Sequence, residues 1–118
     1  MSTAIIGQPI DLAHLARYTG GEAALDAEVL NLFVQQGAHA LARLHSLLAA
    51  PDSKTWRETL HTLKGSAMGV GAFAFAGEVA STETIDPQTA QTRAAAALHA
   101  LGHSFRLVEA FVAAYLGE

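Results

Sequence analysis

A chain of 118 residues with a net charge of −4 has room for one domain around a single core, and its few Lys and Arg argue against a nucleic-acid-binding face. It contains no cysteine, which excludes disulfides and thiolate metal sites and fits a reducing compartment. The opening MSTAIIGQPID lacks a basic region followed by a long apolar run, and nowhere do about 18 apolar residues follow one another. The expectation is therefore a soluble cytoplasmic protein with neither a secretion signal nor a membrane span.

Alanine and leucine dominate, apolar residues recur at helical spacing, and no stretch alternates as a strand would, so the composition favours an all-α protein. After a short irregular lead, Pro9 and Asp11 open a brief helix carrying Leu12, Leu15 and Ala16, which Gly20-Gly21 ends. From about Glu22 to Ala49, the residues Leu25, Val29, Leu32, Phe33, Ala40, Leu44, Leu47 and Leu48 keep three-and-four spacing and predict one long amphipathic helix, stopped by Pro51-Asp52. Asp52 or Ser53 can cap the next helix, which is expected to run to about Met68 before Gly69-Val70-Gly71 breaks it.

A further helix fits Ala72 to about Thr84, with Phe73 and Phe75 expected in the core. Asp86-Pro87 then offers a capping side chain followed by proline at a first helical position. Beyond it Ala94, Leu98, Leu101, Phe105, Val108, Val112 and Tyr115 make a last apolar stripe. Four long helices with short connections imply an antiparallel four-helix bundle with a short additional N-terminal helix, one domain spanning 1–118.

Among the six histidines, His61 has distinct surroundings. Trp56, Leu60, Leu63 and Ala67 form the apolar stripe of its helix, so His61 lies off that stripe. Steps of three and four collect Lys54, Arg57, Glu58, Lys64, Gly65 and Met68 on its own side. Gly65 is costly there, since glycine inside a helix destabilises by roughly 0.5 to 1 kcal/mol relative to alanine. It leaves bare backbone beside an exposed imidazole. A neutral imidazole can act as a nucleophile, and a cation one turn away can stabilise a phosphoryl group on its outer nitrogen. Two solvated surface residues beside a tolerated glycine fit the same spacing.

The run His61-Thr62-Leu63-Lys64-Gly65-Ser66-Ala67, followed by Gly71, resembles the signature of histidine-containing phosphotransfer (HPt) domains of two-component phosphorelays. The upstream Leu30-Asn31-Leu32-Phe33 and the closing helical hairpin are similar to that family as well. The resemblance implies a four-helix bundle whose exposed histidine takes a phosphoryl group from the aspartate of one receiver domain and passes it to another. It implies that His61 is the phosphoacceptor, that Lys64 sits near the phosphoryl oxygens, and that Arg57, Gly65 and Met68 belong to the docking face for the receiver. Glu83, 22 residues after His61, falls where family members commonly place Glu or Gln against the other ring nitrogen. Met68 and Thr82 depart from the usual residues at their positions, the first where many members are polar or basic, the second where an aliphatic residue is usual.

On this reading the partners are receiver domains of response regulators and hybrid histidine kinases. The divalent metal belongs to the partner receiver, the chain binds no cofactor or metal, and a monomer is expected. Glu58-Thr59-Leu60-His61 also matches a di-iron Glu-x-x-His pattern, but that chemistry needs a second such motif and two more inward glutamates. His99 and His103, four apart, lack a third donor. His14, His39 and His45 have no cation and glycine one turn on and read as surface or boundary residues. In the dimerisation helix of sensor kinases an acidic residue follows the histidine, whereas Thr62 stands here, and no Gly-rich ATP loop is present, so autokinase activity is not expected. The alternative is a non-catalytic adaptor that binds receiver or kinase domains without phosphotransfer.

Overall fold

Each helix boundary in the computed structural model, which describes residues 8–117, has a local cause. Asp11 caps α1 (Leu12–Thr19) by accepting the His14 N–H at 3.1 Å, and Gly20 in the left-handed conformation closes it. Helix α2 (Ala23–Ala49) ends before Pro51. Asp52 caps α3 (Ser53–Val70) through the Thr55 N–H at 3.0 Å, and α4 (Phe73–Glu83) and α5 (Gln91–Leu116) follow. Among the described residues there are five helices and no strand.

Helix α2 packs on α3 and α5, α4 packs on the same two, and α1 lies across α2 and α3. The ends meet in pairs. Gln91 at the start of α5 donates its side-chain amide to the Leu48 carbonyl near the end of α2, and Tyr115 at the end of α5 reaches Asp26 near the start of α2. The core enclosed by these helices includes Leu30, Phe33, Trp56, Leu60, Val79, Leu98 and Phe105, each at most 2% exposed. On α2 the inward face includes Gly37, where a Cβ would fall 2.4 Å from two ring carbons of Phe105, so the missing side chain is what lets α5 approach.

Several expectations need correction. Helix α3 continues through Gly69 to Val70, because the left-handed turn comes only at Gly71 (φ 88°), whose N–H returns to the Ala67 and Met68 carbonyls. A Cβ on Gly71 would also lie 2.8 Å from the Asp11 carbonyl oxygen. Asp86-Pro87 does not open α5. The Asp86 carboxylate accepts from the Gln88 N–H at 2.9 Å, its carbonyl accepts from Thr89 and Ala90, and the turn so closed delays the helix to Gln91.

On α2, Leu25 and Leu32 are 36% and 52% exposed while Leu30 is fully buried. Two three-and-four series run along this helix, and the bundle takes the one through Leu30, Phe33 and Gly37. Phe73 is 40% exposed, capping the edge of His14 rather than entering the core with Phe75. Tyr115 is 41% exposed, its ring at the rim and its hydroxyl turned inward to Asp26.

Candidate functional site

The roll of α3 is fixed by Trp56, Leu60, Leu63 and Ala67, none more than 3% exposed. One position beyond Leu60, His61 is thereby turned out of the core, and its side chain is 72% exposed. Gly71 and Ala72 then reverse the chain, with the Ala72 N–H bonded to the Ala67 carbonyl at 2.8 Å, so that α4 returns along α3. Val79 and Thr82 anchor α4 in the core. Thr82 fits a usually aliphatic position because its hydroxyl donates to the Glu78 carbonyl at 2.8 Å, which leaves only its methyl to pack.

That anchoring brings Glu83, the last residue of α4, up beside His61. One carboxylate oxygen lies 3.5 Å from His61 Nδ1 and the other 3.4 Å from Lys64 Nζ. Glu83, distant in sequence, thus joins His61 and Lys64 in one cluster, the ion pair half sheltered and the imidazole in solvent. At 3.5 Å the imidazole contact is longer than a hydrogen bond, so the carboxylate acts on the ring chiefly through its charge. The outer nitrogen, Nε2, is directed away from this carboxylate by the geometry of the ring itself.

The other expected site residues lie around the cluster. Gly65 is exposed, and a Cβ built on it would meet nothing within 4 Å. Met68 is 48% exposed, one further turn along α3. Arg57 is exposed one turn before His61 and lines a hollow of about 90 Å³ together with Ser53, Glu83 and Asp86. The Ser53 hydroxyl, the Gln88 N–H and the Arg57 charge hold the Asp86 carboxyl below its ordinary range.

A groove of about 610 Å³ between α2 and α3 borders this face, with His39 and Arg43 on one wall and Glu58 and Thr62 on the other. Periodicity on one helix at a time gave no signal for it, since it forms only where two helices meet. Glu58 turns into this groove rather than pairing with a second Glu-x-x-His motif, and His99 and His103 are exposed on α5. Among the described residues no group of three or more His, Asp or Glu side chains is placed to hold a metal ion, and no helix is long and apolar enough to cross a membrane.

A family model described as Hpt domain matches residues 28–110, from the first turns of α2 into α5, a span that includes His61, Lys64 and Glu83. Comparison with curated proteins and with solved structures gave no match.

Proposed function

The chain belongs to the Hpt domain family, whose members act in phosphotransfer within phosphorelays, and from that premise we propose that it is a histidine phosphocarrier. His61 accepts a phosphoryl group from a receiver-domain aspartate and passes it to the aspartate of another receiver. The observation that supports this reading best is the solvent-exposed imidazole with Glu83 at Nδ1 and Lys64 held beside it. A carboxylate at Nδ1 favours the proton there, which leaves the lone pair on Nε2 for in-line attack on phosphorus. The Lys64 ammonium is one helical turn along and can meet the phosphoryl oxygens. The open backbone at Gly65, flanked by Arg57 and Met68, is the surface on which a receiver sits.

In this scheme α2, α3, α4 and α5 are the antiparallel four-helix bundle of the family, and residues 1–118 form one such domain acting as a monomer in the cytoplasm. The receiver brings the aspartate, the divalent metal and most of the charge stabilisation. The chain has no autokinase role of its own and needs no cofactor.

Incubation with a phosphorylated receiver is expected to give an acid-labile, alkali-stable phosphoprotein. His61→Gln should abolish the label, whereas changes at His99 or His103 should not. Label retained in His61→Gln would refute the assignment. Lys64→Ala should slow transfer while changing stability by no more than about 0.5 kcal/mol, as is usual for surface substitutions. A folded His61 protein that binds a phosphorylated receiver and takes no label would instead be an adaptor.

A further inference from the structure

Glu83 serves two groups with one carboxylate, Oε1 at 3.4 Å from Lys64 Nζ and Oε2 at 3.5 Å from His61 Nδ1. The cation that is to meet a phosphoryl group is therefore already paired in the resting protein. Resting on the reading of His61 as phosphoacceptor, we propose that Lys64 changes partners when His61 is phosphorylated. Its ammonium leaves Glu83 for the phosphoryl oxygens, and the carboxylate it vacates becomes the counter-ion of a phosphoimidazole protonated at Nδ1.

Charge and reach both favour the exchange. A phosphoryl group on Nε2 brings a charge of about −1.5 to −2, against −1 for the carboxylate, so at equal distance it attracts the ammonium more strongly. Lys64 is 34% exposed on a flexible four-carbon stem, so packing does not lock it to Glu83. Glu83 is only 22% exposed, and a carboxylate left there without its cation is poorly compensated by water. The imidazole, 3.5 Å away, is within reach of that carboxylate and can become positive.

The charges that face this cluster come from several elements. Helix α3 contributes Arg57, Glu58 and Lys64, α4 contributes Glu83, and the turn before α5 contributes Asp86. Across the groove, α2 sets Arg43 and His39 opposite Glu58. Among the described residues the ion pair at the ring is that of Glu83 and Lys64, so it is this pairing that the incoming phosphoryl group changes.

The exchange has a chemical consequence. In onward transfer a receiver carboxylate oxygen forms the new bond to phosphorus while the Nε2–P bond breaks and its electron pair returns to Nε2. With Nδ1 protonated the ring departs as neutral imidazole. Without that proton it would depart as an imidazolate, a much poorer leaving group. Glu83, released from Lys64, thus keeps the stored phosphoryl group transferable at neutral pH.

The test uses the full chain and phosphoramidate as a small-molecule donor. Its P–N bond breaks, the His61 Nε2–P bond forms, and ammonia leaves. The ring of His61 is titrated by NMR with and without the phosphoryl group, in wild type and in Glu83→Gln. Partner exchange requires Glu83→Gln to make the ring lose its titrating proton more readily, and to do so by more in the phosphorylated protein than in the unphosphorylated one, where Lys64 shares the carboxylate. In a Lys64→Ala background the two effects should become equal. Equal effects with Lys64 present would overturn the exchange. Absence of any phosphohistidine signal at His61 is a different result, which would overturn the phosphoacceptor reading and the exchange with it.

Discussion

Gly37 and Gly65 sit inside two adjacent long helices and carry the same intrinsic helix cost, yet their surroundings are opposite. A Cβ on Gly37 would lie 2.4 Å from the Phe105 ring, whereas a Cβ on Gly65 would meet nothing within 4 Å. At the first position the absent side chain makes room for this chain's own α5. At the second it leaves open backbone one turn from His61, the surface on which we propose that a receiver sits. The same residue in a helix interior thus marks a packed seam at one position and open backbone at the other, and only its neighbours tell the two apart.

The comparison is broken most severely at the α2–α5 seam. Phe105 is wedged between Phe33 and Phe75, with ring centroids 6.2 and 5.4 Å away, so it has little freedom to yield to a new methyl group. Gly37→Ala is expected to lose about 2 to 3 kcal/mol by overpacking, which outweighs the helix propensity it gains. Chemical denaturation measures the loss. Phosphotransfer per folded molecule should be unchanged, because the added methyl points at the Phe105 ring in the core whereas His61 is turned out into solvent. A Gly37→Ala protein as stable as wild type would show that the ring moves aside and that the two glycines are alike.

A smaller loss is expected where α5 closes back on α2. Asp26 is 4% exposed and accepts the Tyr115 hydroxyl at 2.7 Å, while its other oxygen has no partner among the described residues. Tyr115→Phe leaves the buried carboxylate unbonded and should cost about 1 to 2 kcal/mol. The bond to Asp26, aided by burial and the carboxylate charge, pushes the Tyr115 phenol above its ordinary value near 10. A raised folded pKa means that this contribution is complete below about pH 10 and is lost as the pH climbs from there through the folded value. Wild type should thus show an extra alkaline loss of stability that Tyr115→Phe lacks. Parallel alkaline profiles for the two proteins would exclude the latch.

How far the sequence discloses each region follows from the range of the interactions. Caps and breakers act within one turn, so the ends of α1 and α2 and the start of α3 were readable from Asp11, Gly20, Pro51 and Asp52. The outward position of His61 was readable too, because the buried stripe of α3 is a single series. On α2 two apolar series compete, and only the position of α5 chooses Leu30 over Leu32. Asp86-Pro87 carries a helix-start signal, but Asp86 closes a turn onto Gln88, Thr89 and Ala90 instead, and its carboxylate also accepts the hydroxyl of Ser53, 33 residues away. The approach of Glu83 to His61 came from the family resemblance, since no local pattern fixes how α4 returns. The sharing of Glu83 with Lys64, the groove between α2 and α3, and the role of Gly37 needed the assembled helices.

A change in stability smaller than at either of these seams is expected at Gly65, and there it should run the other way. Its φ is not positive and its surroundings are open, so Gly65→Ala should stabilise by roughly 0.5 to 1 kcal/mol through helix propensity and a less flexible unfolded chain. Gly65→Gln, also a good helix former, should hold or raise the melting temperature as well. If the open backbone is where a receiver rests, the two variants must part in function. Alanine adds one methyl and should transfer at a modestly reduced rate, whereas glutamine projects a side chain over the approach to His61 and should cut transfer well below wild type. Phosphoramidate, small enough to bypass a docking surface, should still label His61 in both. A Gly65→Gln protein that is stabilised and exchanges phosphoryl groups with a receiver at the wild-type rate would show that nothing docks there. The contrast with Gly37 would then reduce to one packed glycine and one tolerated one.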